Sequence, residues 1–367
     1  RAVIRGSRTF WCWQAAGYVP VLFALVASSC ANVGAVPAAE PAPQTIERIL
    51  VAMGTSLQVA VTAPTRAQAL QSSERAFEAV QQVEARLSTW REDSELAQLN
   101  RALVGSKVTL SGSLLRDMAT ARRYSQATGG AFDPGIGALI ELYRLRDGGR
   151  WPSDQEVWAC LPHCGIEQLH VVRASASRRT QRLQLEEGGF GKGAGLDAAG
   201  RAALAGGAAA ATFDFGGQVL RVGDQDGMDH YDIADPRDRQ RAVVRVAMGN
   251  GSIATTANSE RRLSASGREF GHILDPRTGR PAPDFGSVTV IAETAFAADC
   301  LSTALFVMGP TAALAWAEAQ EGIEALVLEA PSDPSPATSL TVRMTSGLRH
   351  RVAALAKDAN IQRHINQ

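Results

Sequence analysis

Ser287-Val288-Thr289-Val290-Ile291-Ala292 is followed by Ala295-Phe296-Ala297-Ala298-Asp299-Cys300-Leu301-Ser302-Thr303-Ala304-Leu305-Phe306-Val307-Met308, then by Thr311–Gln320 and Ala325-Leu326-Val327-Leu328. This reads as strand, two helices, strand: short β-branched runs at either end and longer apolar runs of helical length between them. Outward from it, further short β-type segments stand at Leu169–Val172, Arg182–Leu185, Thr212–Phe215 and Val243–Val246. They do not alternate regularly with helices, which predicts an α+β body with mixed sheets and flanking helices rather than a doubly wound parallel sheet. Nearer the N-terminus, Glu47–Val61 predicts strand, turn, strand around Met53-Gly54-Thr55. Ala67–Leu87 predicts a helix with Phe77, Val80, Val83 and Leu87 on one face. Ser111–Thr128 predicts another, stopped by Gly129-Gly130, and Ser153 with Glu156 stands in capping-box positions. Pro331–Pro336 reads as a loop, and 347–367 as a loosely packed C-terminal tail.

The 367 residues are 45% apolar and 20% charged, a globular composition. Basic and acidic residues balance at 37 each, so there is no basic excess to displace counterions from nucleic acid, and a general nucleic-acid binder is excluded. The start of the chain has another character. Arg1, Arg5 and Arg8 precede an apolar run, Val19–Ala27, with no acidic residue before Glu40. That pattern predicts a signal peptide over 1–29, its apolar run well short of the ~20 residues a spanning helix needs. Ala27-Ser28-Ser29-Cys30 resembles a bacterial lipobox. This predicts an exported chain held on the periplasmic side of a membrane by lipid on Cys30, with residues 30–46, containing Pro37, Pro41 and Pro43, as a tether. Cys160 and Cys164 flank a single turn and allow a local disulfide, while Cys300 lies in an apolar run and reads as buried.

Three segments carry candidate chemistry. Gly188-Gly189-Phe190-Gly191-Lys192-Gly193 fails both the P-loop and the dinucleotide spacings. It still lets successive N–H groups approach an anion, and Lys192 adds a compact cation in a chain whose only other lysines are Lys107 and Lys357. Gly271 through Pro281 contains the turn-forming Asp275-Pro276 and Thr278-Gly279, with His272 just ahead of them. Asp299 and Thr303 share a helix face at i,i+4 and offer oxygens to a hard cation such as Mg²⁺; a helix-start carboxylate and a core threonine would leave the same trace.

Taken in order, Met53-Gly54-Thr55, Ser88-Thr89-Trp90 with Ser94-Glu95-Leu96, Gly129 through Pro134, Gly191-Lys192-Gly193, Phe215-Gly216-Gly217, His272 through Pro281 and Asp299 through Thr303 resemble the ApbE family over residues 48–330. These are FAD:protein FMN transferases, often bacterial lipoproteins. The resemblance implies a single T-fold-related body over 47–346. It implies FAD contacts at Met53, Trp90, Ala131, Phe132, Asp133, Lys192 and His272–Leu274 (Ile273 and Leu274 included), and at Glu186, which stands where the family has Asp. It further implies Mg²⁺ between the Gly189 carbonyl, Asp299 and Thr303. FAD is then the substrate: FMN passes to a Thr or Ser hydroxyl of an acceptor flavoprotein and AMP leaves, with Lys192 offsetting charge on the pyrophosphate and His272 taking the hydroxyl proton. Departures from the pattern are Trp90 for Tyr, Gly135 for Thr, and Thr255 through Arg261 in place of Thr-Ser-Gly-x-Tyr-Glu-Arg. A metal-dependent FAD pyrophosphatase and a non-catalytic flavin-binding lipoprotein use the same residues and stay open.

The lipobox reading has a direct test. Cys30→Ser should move the protein from the membrane to the soluble fraction of expressing cells, and a wild-type protein already soluble after fractionation would refute it.

Overall fold

A computed structural model describes residues 42–260, 262–330 and 339–362. The signal peptide, Cys30 and the Pro331–Pro336 loop lie outside the described residues. A nine-stranded sheet forms the centre, its strands following one another in space as they do in the chain. They are β1 (Gln44–Ala52), β2 (Thr55–Ala63), β3 (Ala210–Phe215), β4 (Gln218–Gly223), β5 (Gly251–Ala257), β6 (Gly286–Ala292), β7 (Glu324–Glu329), β8 (Leu340–Met344) and β9 (Ala359–Gln362). All neighbours pair antiparallel except β8 and β9, which run parallel. The helices among the described residues are α1 (Arg66–Leu87), α2 (Glu95–Arg101), α3 (Gly112–Ala127), α4 (Gly137–Leu142), α5 (Asp154–Cys160), α6 (Gly191–Ala205), α7 (Ala295–Met308) and α8 (Pro310–Glu318).

One face of the sheet carries α1, α6, α7 and α8. At the β1–β2–β3 end, Leu57, Val59, Val61, Phe213 and Phe215 alternate inward against Ala76 and Val80 of α1 and Leu196, Ala199 and Ala203 of α6. Further along, Val288, Val290 and Val327 meet Leu301, Ala304 and Leu305 of α7. The opposite face is covered from β4 onward by a three-stranded sheet of Asp229–Ala234, Ala242–Met248 and Val352–Ala354. β6 is buried along its whole length because both of its faces are covered, Ser287 and Thr289 included.

Three expectations are corrected. Arg182–Leu185 joins no ladder: Arg182 lies in a turn, the alternation of buried Leu183 and Leu185 reflects burial, and side chains supply several of its hydrogen bonds. Asn100 accepts from Leu185 N at 2.8 Å and donates to Leu185 O at 2.9 Å, while the buried Arg178 guanidinium donates to the carbonyls of Ala102, Gln181 and Leu183. The second concerns 347–367. Val352–Ala354 pairs with Ala242–Met248 and β9 with β8, so up to Gln362 this segment is part of the sheet system rather than a loose tail. The tether assigned to 30–46 likewise gives way to β1 at Gln44. Ser153 and Glu156 do form a reciprocal capping box, and Cys160 and Cys164 are free thiols.

α6 packs on α7 with their backbones in close approach. A Cβ built at Gly193 would lie 2.3 Å from the Ala295 carbonyl oxygen and 2.7 Å from Phe296 Cα, both backbone atoms that cannot swing aside. Gly193→Ala should therefore destabilise the protein by about 1–3 kcal/mol, the usual cost of overpacking. A melting temperature equal to the wild type would show that the helices can separate freely.

Candidate functional site

The N-termini of α6 and α7 come together at this contact, and each is satisfied by the other helix. Phe190, the residue before α6, supplies no side-chain cap; instead Gly193 N donates to Asp299 Oδ2 of α7 at 3.0 Å. In return, Ala295 N and Phe296 N at the start of α7 donate to Asp197 of α6 at 2.8 and 3.0 Å. The N–H groups of each helix start are thus taken up by a carboxylate of the other helix, and the positive end of the α6 dipole lies at this spot, which favours anions. Lys192 adds its ammonium, with Nζ 3.3 Å from Asp299 Oδ1.

A cavity of about 390 Å³ opens over this floor. Its lining includes Met53, Ala131, Phe132, Asp133, Glu186, Gly189, Lys192, His272, Ile273, Leu274, Asp299 and Thr303, so distant chain segments meet there. Met53 reaches the cavity through the tight β1–β2 turn, where it adopts φ +44°, a conformation uncommon for a residue with a side chain. Phe132 and Gly189 pack together: a Cβ at Gly189 would be 3.1 Å from the Phe132 ring and 3.5 Å from Thr303 Oγ1. Asp133 lines the wall, yet its carboxylate is taken up by protein donors, with Oδ1 accepting from Gly135 N and Ile166 N at 2.7 Å each and Oδ2 from Ser125 Oγ at 2.9 Å. It shapes the loop. Gly135 in place of the family's Thr has a local reason, since a Cβ there would sit 2.4 Å from the Gly165 backbone.

Trp90 is the one expected site residue that does not line the cavity. Its ring is 72% exposed and lies 4.5 Å beneath the Arg146 guanidinium, which in turn is ion-paired with cavity-lining Glu186 at 2.5 Å. It belongs to the rim, one charged residue away from the wall. The cavity also contains residues that the sequence did not single out: Thr55, Gln218, Ser302, and the apolar Ile136 and Ile140. Gly216-Gly217 was a visible signal for Gln218; nothing in the sequence marks Ile136 or Ile140. In the segment that departs from the family pattern, Thr255 and Thr256 face the cavity and share hydrogen bonds with Thr289 Oγ1 and Ser302 Oγ, each at 2.8 Å.

Among the described residues no group of three His, Cys, Asp or Glu side chains could hold a metal ion. One carboxylate with a neighbouring hydroxyl and a backbone carbonyl is nevertheless the kind of partial donor set Mg²⁺ uses when substrate phosphates and water complete its octahedron. Asp299, Thr303 and Gly189 fit that description, at a floor already arranged for anions.

Burial raises the Glu186 carboxyl to about 7, with Arg146 opposing the rise and Glu187 adding to it. The folded protein therefore holds this proton more tightly than the unfolded chain, whose carboxyl titrates near 4.5. The resulting stability is fully present below the unfolded value and is lost as pH rises through about 7. Glu186→Gln should flatten the dependence of melting temperature on pH between about 5 and 8; an unchanged profile would mean that Arg146 keeps the carboxylate ionised throughout.

A family model described as the ApbE family matches residues 53–327. A FAD:protein FMN transferase of Treponema pallidum (strain Nichols) is 30% identical over 275 residues, covering 70% of this chain and 76% of its own. One from Vibrio cholerae serotype O1 is 30% identical over 249 residues, covering 66% and 75%. Among solved structures, the ApbE protein of Thermotoga maritima superposes with a TM-score of 0.71 at 28% identity, covering 78% of this chain and 94% of that one. The flavin transferase ApbE from Vibrio cholerae gives 0.72 at 26% identity, covering 84% and 99%. With a match across three quarters of its length, on a cavity assembled from the same motifs, the chain belongs to the ApbE family.

Proposed function

We propose that this protein transfers FMN from FAD to a Thr or Ser hydroxyl of an acceptor flavoprotein. The observation that carries the reading is one cavity joining an anion-binding floor to an apolar wall: the α6 N-terminus, Lys192 and Asp299 below, Phe132, Ile136, Ile140 and Leu274 beside them. A dinucleotide with a pyrophosphate and flat ring systems needs both. The names of its relatives point the same way.

In this reading the acceptor oxygen bonds to the FMN phosphorus, the anhydride P–O bond breaks, and AMP leaves with the bridging oxygen. His272, on the cavity wall, receives the hydroxyl proton. Lys192, at the positive end of the α6 dipole, faces charge that grows on the phosphates and needs no large rearrangement as the reaction proceeds. Met53, Ala131, Phe132, Ile273 and Leu274 position the rings, and Asp133 does so by holding its loop. Trp90, with Arg146 over it, offers a stacking surface at the rim. Asp299, Thr303 and Gly189 would hold Mg²⁺, which when bound supplies positive charge to the pyrophosphate. We also place the protein on the periplasmic side of a membrane, anchored through Cys30.

Incubation with FAD, Mg²⁺ and a purified flavoprotein domain tests the activity. Covalent FMN on the domain is the expected product; free FMN with AMP would make the protein a hydrolase, and intact FAD a binder. In the same assay Asp299→Asn, which keeps the shape but removes the charge, should slow the reaction about a hundredfold and shift its Mg²⁺ requirement upward. Thr303→Val should cost less and recover as Mg²⁺ is raised. Identical Mg²⁺ curves for wild type and Asp299→Asn would remove the metal from this site.

A further inference from the structure

One corner of the cavity is built from buried polar atoms that the chemistry above does not use. The β3–β4 hairpin turns through Gly216 (φ +61°) and Gly217 (φ +92°), the left-handed pair a two-residue turn requires. It delivers Gln218 to the cavity as the first residue of β4. Gln218 Nε2 donates to the Ala295 carbonyl at 2.7 Å and to Ser252 Oγ at 3.4 Å, while Ser252 uses its own proton on Val219 O at 2.7 Å. A carbonyl can only accept, so the amide orientation is set and Oε1 is the atom left over. That oxygen has no partner among the described residues, in a side chain only 2% exposed. Thr55 stands on the other side of the turn: a Cβ at Gly216 would lie 3.0 Å from Thr55 Oγ1. It too lines the cavity, is 8% exposed, and has a hydroxyl with no partner among the described residues.

Two buried, unsatisfied polar atoms flanking one turn at the cavity cost stability unless a ligand completes them. A phosphate cannot, because it presents only acceptors and Oε1 needs a donor. We infer that Thr55 and Gln218 receive the hydrogen-bonding edge of one of the substrate's heterocycles, an N–H beside a ring acceptor: Gln218 Oε1 accepts from the N–H and the Thr55 hydroxyl donates to its neighbour. The imide edge of isoalloxazine and the amino edge of adenine both present this pair. The inference rests on the reading of the cavity as a FAD site.

The experiment measures FAD affinity by calorimetry for wild type, Thr55→Val, Thr55→Ser and Gln218→Met, with thermal unfolding as the check on folding. Thr55→Val replaces an unsatisfied hydroxyl by a methyl of the same shape and should keep the fold. Thr55→Val and Gln218→Met should each weaken FAD by about tenfold, while Thr55→Ser, which retains the hydroxyl, should bind like wild type. FMN and AMP as separate ligands identify the ring. A loss confined to FMN, reproduced on wild type by methylating flavin N3, assigns the corner to isoalloxazine; a loss confined to AMP assigns it to adenine. Unchanged FAD affinity in Thr55→Val, or an FMN loss that N3-methylation does not reproduce, overturns the inference. Failure of the wild type to bind FAD would instead overturn the reading of the cavity itself.

Discussion

The exchange of carboxylates between α6 and α7 is the constraint on which the site depends. Asp197 satisfies the first N–H groups of α7, and Asp299 satisfies Gly193 N of α6. Each helix start would otherwise bury donors with no acceptor, a cost comparable to losing the hydrogen bonds outright. The exchange holds only if the backbones nearly touch, which is why the residue at 193 has no side chain. The same geometry sets Lys192 beside Asp299 and brings the start of α6 to the cavity floor, so that a packing solution becomes an anion site.

Around this floor, the walls are held by side chains that do not themselves face a ligand. Asn100 and Arg178 pin the strandless segment that leads into Glu186 and Gly189, and Ser125 with the Ile166 and Gly135 N–H groups fixes Asp133. Buried polar side chains used as backbone partners are an efficient way to hold a loop that belongs to no sheet. The residue at the β1–β2 turn shows the complementary device: Met53 is kept in a left-handed conformation that other parts of the structure must stabilise, and its side chain gains the cavity in exchange.

The central sheet supplies rigidity rather than chemistry. Its middle strands are covered on both faces, by helices on one and by the three-stranded sheet on the other. α7, which carries Asp299, Ser302 and Thr303, packs directly on β5 and β6, so the reactive floor rests on the most deeply buried part of the molecule.

Local patterns in the sequence determined a good deal. The periodicity of Ala67–Leu87 and Ala295–Met308, the capping box at Ser153, the turn at Met53-Gly54 and the i,i+4 pair Asp299–Thr303 all follow from contacts a few residues apart, and such contacts are written directly in the chain. Most of the cavity was legible because ordered motifs named it. What only the tertiary structure decided were matters of partnership between distant segments. Leu183 and Leu185 alternate as a strand would, yet a side chain from residue 100 occupies the place of a ladder. The residues after 347 look loose until Val352–Ala354 pairs with Val244–Val246, far earlier in the chain, and Ala359–Gln362 with Leu340–Arg343. Trp90 reads as a cavity wall, but the Arg146–Glu186 ion pair stands between it and the cavity. Whether Gln218 Oε1 is satisfied depends on the carbonyl of Ala295. A residue's type is local, but its burial and its hydrogen-bond partner are set by whichever segment folds against it.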